Sequence, residues 1–190
     1  IALSQSGESS DLYTFAKAAK GGGGFLLSIT NNDSSRLAQL SDLHIPILAG
    51  PELAVPATKS YVGQLMASYL LVMAWTKEKS EAPQIIRSRK AAVENNAFSS
   101  FATQIDIAHP IYVLGRGFSY PNAKEFALKL QETSLIPVQG MSTSDFLHGP
   151  IASLKPNSQV IVMAPSGRPA DSFGDCLLYT SPSPRDQRGS

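Results

Sequence analysis

Between Pro110 and Ser134 an apolar, β-favouring run, a glycine turn and an amphipathic helix follow one another, and this unit constrains the fold more than any other stretch. Pro110-Ile-Tyr-Val-Leu114 reads as a short buried strand. Gly115-Arg-Gly117 turns the chain, since glycine allows backbone shapes and close approaches that a Cβ would block. Ser119 is placed to cap the next helix, and Pro121 suits its first turn, where no amide hydrogen bond is lost. Ala123, Phe126, Ala127 and Leu130 give that helix an apolar stripe as far as about Ser134. Glu125, Lys129 and Glu132 fall at i, i+4 and i+7, on the opposite face. A strand, a glycine turn and a helix gather amide donors and a positive helix end in one place, which suits an anion such as phosphate. It is not a dinucleotide fingerprint: Gly115 and Gly117 fit G-x-G-x-x-G, but Tyr120 stands at the third glycine position. By spacing alone, a Glu and a Lys four apart read first as a solvated ion pair worth about 0.2–0.5 kcal/mol, and Glu132 as a catalytic acid only second.

The rest of the chain repeats this alternation. Ile1-Ala-Leu3 reads as the end of a strand, and Ser4 to Ser10 as a polar turn with Ser6 or Ser9 as N-cap. A helix then runs to Ala19 and stops at Gly21 to Gly24. Strands are expected over 25–30 and 43–48, with a short helix over 36–41 between them. A long helix is expected over 59–77, with Thr58 as its N-cap. Residues 80–108 read as helical and polar. In the second half, strands are expected over 136–139 and 159–164, with a polar loop over 141–150. Strands alternating with helices across short turns imply an open parallel α/β sheet. The two halves echo each other as a weak repeat of about 110 residues.

Composition narrows the function. Net charge is +1, from 16 basic and 15 acidic residues, and no basic block stands out, so nucleic acid is not expected as a partner. Leu65 to Trp75 is the longest apolar run and falls short of the roughly 20 residues that cross a bilayer. The single cysteine, Cys176, allows no internal disulfide and fits a reducing, cytoplasmic compartment. No cluster has metal-ligand spacing, and neither a metal nor another cofactor is expected. Ile1-Ala-Leu3 looks like a strand already under way, so the chain reads as a piece of something longer. Residues 176–190, rich in Ser, Pro and Arg with no apolar period, are expected to be non-native.

Ser4, Gln5, Ser6 and Ser9 stand where a strand ends and a helix begins, the place where open α/β sheets bind ligands. Their hydroxyls, an amide and free backbone N–H groups make a neutral anion cradle. His148 is the histidine whose loop position suits proton transfer, whereas His44 reads as packed and His109 as solvated.

Five segments in order carry a resemblance: Ser4-Gln-Ser-Gly-Glu-Ser9, Val55-Pro-Ala-Thr-Lys-Ser60, Leu114-Gly-Arg-Gly-Phe-Ser-Tyr-Pro121, Ala127-Leu-Lys-Leu-Gln-Glu132 and Leu147-His-Gly-Pro150. Together, over roughly residues 1 to 165, they resemble the sugar isomerase (SIS) domain pair of aminosugar-phosphate synthases, deaminases and ketose/aldose isomerases. The resemblance implies two flavodoxin-like units, both truncated here, with parallel sheets flanked by helices and a phosphorylated hexose or aminosugar bound at a shared cleft. The first would cover 1–80, a helical connector 81–108 and the second 109–165, with a tail over 166–190. It implies that Ser4, Gln5, Ser6 and Ser9 hold the phosphate and that Val55, Ala57 and Thr58 contact the sugar. Glu132 would move a proton between C1 and C2, Lys129 would polarise the sugar oxygens, and His148 would assist ring opening at a neighbouring subunit's site in a homodimer. Isomerisation or deamination of a hexose 6-phosphate is the implied reaction. The alternatives are the isomerase half of a glutamine-dependent aminotransferase and a non-enzymatic sugar-phosphate sensor. The sequence departs from the synthase pattern at Ala57, where a serine is usual, and at Leu147, where a lysine is usual.

Overall fold

The computed structural model describes residues 1–77, 82–95 and 97–164. The expectations for the 166–190 tail, Cys176 included, and for residues 78–81 lie outside the described residues. The chain divides into two compact units, Ile1–Asn95 and Asn96–Ser190.

The first unit is a parallel sheet of β1 (Ala2–Leu3), β2 (Leu27–Thr30) and β3 (Leu43–Pro46), in that order across the sheet. All four residues of β2 are buried because it is the central strand, covered on both faces. On one face α1 (Ser10–Gly21) and α2 (Arg36–Leu40) enclose Ala2, Ala16, Leu26 and Leu37. On the other, α3 (Lys59–Thr76) closes over Leu27, Ile29 and Ala67. Strand alternation sorts these residues: Leu26 faces one layer, and Leu27 and Ile29 the other. The Lys20 ammonium lies 2.9 Å from Asp42, whose other oxygen accepts from Leu26 N at 2.8 Å, tying the end of α1 to the start of β3. α4 (Ala82–Glu94) follows.

The spacing of Val62, Leu65, Met66 and Leu70 suggests an inward face for α3, but only Ser60 and Ala67 are buried, and Leu65 and Leu70 are about half exposed. The helix is apolar all round, so its period selects no face. Small residues decide the contact: a Cβ on Gly63 would lie 3.3 Å from Ile47 Cβ, so α3 approaches the sheet where its side chains are smallest.

In the second unit, α5 (Ala97–Ala102) precedes β4 (Ile111–Gly115), α6 (Ser119–Ser134), β5 (Val138–Ser142), α7 (Thr143–Leu147), a 3-10 turn over Pro150–Ser153 and β6 (Gln159–Met163). The sheet is parallel in the order β5-β4-β6. α6 covers Ile111, Val113, Ile136 and Val138 with Ala123 and Ala127, and Phe126 and Leu130 pack against them. The opposite face holds Tyr112, Leu114 and Phe146, with the Tyr112 and Phe146 rings 5.4 Å apart.

β5 begins two residues later than the sequence suggests. Pro137 has no N–H to give a ladder, and pairing with β4 runs from Val138 opposite Ile111 to Ser142 opposite Gly115. The expected loop after it contains α7, whose N-cap Ser142 accepts from Asp145 N at 3.0 Å. The expected helical stretch before β4 breaks into α4 and α5 and gives way to turns before Pro110.

Candidate functional site

Parallel sheets offer ligands the C-terminal ends of their strands. In the first unit, residues 4–9 make a tight turn at the end of β1. Ser4 is buried and its Oγ accepts from Gly7 N at 2.9 Å, while Ser6 Oγ accepts from Glu8 N at 3.2 Å. Both hydroxyls keep a proton to donate. Gly7 has φ +71°, and a Cβ there would lie 2.1 Å from Ser35 Oγ. Ser35 is itself buried and caps α2, so the turn rests directly on that cap. Glu8 Oε1 accepts from Arg36 N at 3.0 Å, and the Arg36 guanidinium lies 4.2 Å above the Tyr13 ring. Asn31 N donates to Gln5 O at 3.0 Å. Ser9 stands at the N-cap of α1, but its side chain makes no capping bond. Ser4, Gln5, Ser6 and Ser9 therefore share one turn that leads into a helix N-terminus.

Beside that turn, a cavity of about 480 Å³ opens at the ends of β2 and β3, lined by Asn31, Asn32, Asp33, Ser34, Leu48 and Gly50. Asn31 spans it: Oδ1 accepts from Ala49 N at 3.0 Å and Nδ2 donates to Gly50 O at 2.7 Å.

The next loop carries Val55, Ala57 and Thr58. Val55 is 90% exposed and Ala57 half-buried. Thr58 occupies the N-cap position of α3 but makes no side-chain cap. Glu52 does that work from six residues upstream. Its Oε1 accepts from Thr58 N and Lys59 N, both at 2.9 Å, and its Oε2 from Ser60 N at 3.0 Å and from the Ser60 hydroxyl. The Ser60 hydroxyl first, then these amides, hold the Glu52 carboxyl at about 2 against an ordinary 4.5, with desolvation opposing them. A depressed value makes its stabilisation complete above 4.5 and lost as the pH falls through about 2. Acid titration of the wild type and Glu52→Gln should therefore show the wild type losing its advantage within that window. Equal losses in both would contradict the cap.

In the second unit, Gly115 lets β4 turn straight into α6: a Cβ there would lie 2.4 Å from Ser119 O. Ser119 is the first helical residue rather than the cap, and Phe118 holds the N-cap position without a side-chain bond. The trio on α6 is not a solvated pair. Lys129 Nζ lies 2.8 Å from Glu132 Oε2 and 3.2 Å from Glu125 Oε1, and all three side chains are less than one-third exposed. Burial pulls the Lys129 ammonium down, but the hydrogen bonds and charges of Glu132 and Glu125 outweigh it and raise it above its ordinary range. Lys129 is thus a fixed ammonium, a donor and not a base. Glu132 Oε1 has no partner among the described residues.

His148 ends α7, its N donating to Asp145 O at 3.2 Å. Its imidazole is exposed and makes no hydrogen bond among the described residues. The other two histidines are engaged. His44 is half-buried, Nδ1 3.0 Å from the buried Ser28 Oγ and Nε2 3.4 Å from Asp33. His109 Nδ1 lies 2.6 Å from Asp106 and is not merely solvated. No group of three or more His, Cys, Asp or Glu suited to a metal ion occurs among the described residues. Among them, no helix is long and apolar enough to cross a membrane.

In the sequence, Glu52 frames the loop before α3, and Asn31 to Ser35 read as a turn and cap, which Ser35 fulfils at α2. What sequence reasoning missed is their partners: the α3 amides for Glu52 and the 49–50 backbone for Asn31.

Helix-covered parallel sheets, with a serine turn at one strand end and an ordered acid–base trio on a helix, define an α/β protein. The chain belongs to the SIS domain family, whose model matches residues 1–74 and 104–174. It is 34% identical over 178 residues to the glutamine–fructose-6-phosphate aminotransferase (isomerizing) of Zymomonas mobilis, covering 87% of this chain and 29% of that one. The chain thus spans less than a third of the length of the curated relatives it matches. The C-terminal domain of glucosamine-fructose-6-phosphate aminotransferase from Francisella tularensis superposes with a TM-score of 0.71 at 28% identity, over 93% of this chain and 54% of that one. Glucosamine-6-phosphate deaminase from Thermotoga maritima shares the fold, with a TM-score of 0.75 at 24% identity over 93% and 56%.

Proposed function

We propose that this protein moves a proton between C1 and C2 of a hexose 6-phosphate, such as fructose 6-phosphate or glucosamine 6-phosphate, in an isomerisation or deamination. The observation that carries this reading is the Lys129 ammonium 2.8 Å from Glu132 Oε2, with Glu132 Oε1 left without a partner among the described residues. An open-chain aldose phosphate has two chemically distinct ends. The Ser4–Ser9 turn suits the phosphate with its hydroxyls and amides, and its one carboxylate, Glu8, is engaged by Arg36 N at 3.0 Å. In the proton transfer, Glu132 Oε1 takes the proton from C2, and the C2–H electron pair becomes the C1=C2 bond of an enediolate. Negative charge moves onto O1, where an ammonium such as Lys129 stabilises it. The O2 proton then moves to O1, which leaves the charge on O2; as O2 becomes the carbonyl oxygen, the C1=C2 pair takes the proton back from Glu132 at C1 and gives the ketose. Val55, Ala57 and Thr58 are assigned to sugar contact.

His148 is assigned to ring opening; its imidazole is exposed and makes no hydrogen bond among the described residues. In a homodimer it would serve the neighbouring copy, and sedimentation velocity checks that state by mass. The two domains are assigned to 1–80 and 109–165, with 81–108 as connector.

A second reading, the isomerase half of a glutamine-dependent aminotransferase, draws on the curated relatives carrying that name. It shares the C1–C2 step and adds a nitrogen source from elsewhere. A pure sensor would need the serine turn but not Glu132 and Lys129 held together.

Ser6→Ala in the full-length protein tests the phosphate assignment. Losing a hydrogen bond to a charged oxygen costs about 1.5–3 kcal/mol, so affinity for the sugar 6-phosphate should fall about tenfold or more. Affinity for the unphosphorylated sugar should hold. Equal losses for both would remove the turn from the phosphate site.

A further inference from the structure

Of the helices that begin beyond strand ends in the first unit, α1 and α3 have their N-termini treated differently. At α1 the Ser9 side chain caps nothing. At α3 the Glu52 carboxylate already spans three consecutive amides, Thr58 to Ser60, and takes the hydroxyl of Ser60, which is buried. Two oxygens on successive helix-start amides reproduce the way such an end holds a bound oxyanion. Here the anion is part of the chain.

This has two consequences. Leu53 and Val55 are 94% and 90% exposed, so little packing holds the loop between Glu52 and α3. The carboxylate is its anchor, helped by Lys59 Nζ donating to Pro51 O at 2.7 Å. Upstream, Asn31 holds Ala49 and Gly50. The loop is therefore pinned at both ends and bare between them. The second consequence is electrostatic: a helix end filled by its own carboxylate repels another anion, leaving the serine turn as the open oxyanion seat of this unit.

We propose that Glu52 is a positioning and specificity-determining residue, the internal anion of α3, which shapes the Val55–Thr58 loop for a ligand and keeps a ligand's phosphate off that helix end. Only the loop's part in ligand contact rests on the sugar-phosphate reading.

The test uses full-length Glu52→Ala and Glu52→Gln, with fructose 6-phosphate and sodium formate as probes. Glu52→Ala should bind fructose 6-phosphate roughly 10-fold more weakly, as a displaced contact loop would. Formate, a carboxylate small enough for the vacated position, should restore part of that affinity and raise the Tm of Glu52→Ala but not of the wild type. Glu52→Gln keeps one acceptor oxygen and should fall between the two. A glutamate that only stabilised the fold would lower Tm, which formate would partly restore, and would leave the affinity for fructose 6-phosphate at the wild-type value. Wild-type affinity in Glu52→Ala, or the same formate effect on variant and wild type, overturns the proposal. If Glu52→Ala folds only when formate is present, that supports it. If it folds in neither condition while Glu52→Gln matches the wild type in binding, the proposal falls. Failure of the wild type to bind fructose 6-phosphate would instead sink the proposed function, and the formate-specific Tm shift would still decide the role of Glu52 at α3.

Discussion

Glu132→Gln in the full-length protein should lower turnover of a hexose 6-phosphate by about 10²–10⁴-fold, the span that general base catalysis contributes. The substitution keeps the side chain's shape and its place on α6. It removes the proton acceptor and the charge that meets Lys129 at 2.8 Å. Substrate Kd should change little, because the phosphate contacts are assigned to the serine turn. Stability should fall by about 1 kcal/mol or less, since Lys129 keeps Glu125 at 3.2 Å. Steady-state kinetics, ligand titration and a melting curve on one preparation read all three. Turnover within twofold of wild type would place the base elsewhere. Loss of binding together with turnover would mean that the trio holds substrate and not the proton.

Gly7→Ala should destabilise the first unit by about 2–5 kcal/mol and cost sugar-phosphate affinity with it. Two penalties combine. The left-handed φ of +71° costs a residue with a Cβ about 1–2 kcal/mol. Driving that Cβ into Ser35 costs about 1–3 kcal/mol more, as overpacking does in a filled interior. The double variant Gly7→Ala with Ser35→Gly removes the second penalty, and glycine is a tolerable N-cap for α2, so it should recover most of the clash and keep the φ cost. Urea denaturation of the wild type, the single variant and the double variant measures the split. No recovery in the double variant would mean that the turn does not rest on the α2 cap.

Elements with one clear apolar stripe were readable from sequence. Ala123, Phe126, Ala127 and Leu130 face the sheet as their spacing says, because α6 has charged residues on its other side to break the symmetry. α3 lacks that asymmetry, and its buried face is decided by Gly63 and Ala67, whose importance is their lack of bulk. β5 and α7 were misjudged for local reasons: Pro137 delays the ladder, and Ser142 caps a helix too short for a period to appear. The turn from Ser4 to Ser9 was legible as a serine cluster at a strand end. Its support was not, because Ser35 and Asn31 reach it through folded contacts. Glu125, Lys129 and Glu132 were placed on one face by spacing, but only the structure shows that they are partly buried and joined. Thr58 fits the preference for hydroxyl caps, yet a carboxylate six residues earlier took the amides.

The proton itself tests the central claim most directly. Full-length protein is incubated with glucosamine 6-phosphate or fructose 6-phosphate in D₂O, and deuterium at C2 of the aldose and C1 of the ketose is followed by NMR. The account predicts enzyme-dependent incorporation at those two carbons and nowhere else, lost in Glu132→Gln although the sugar phosphate still binds. Binding without incorporation by the wild type would contradict it and leave a protein that holds sugar phosphates without transforming them.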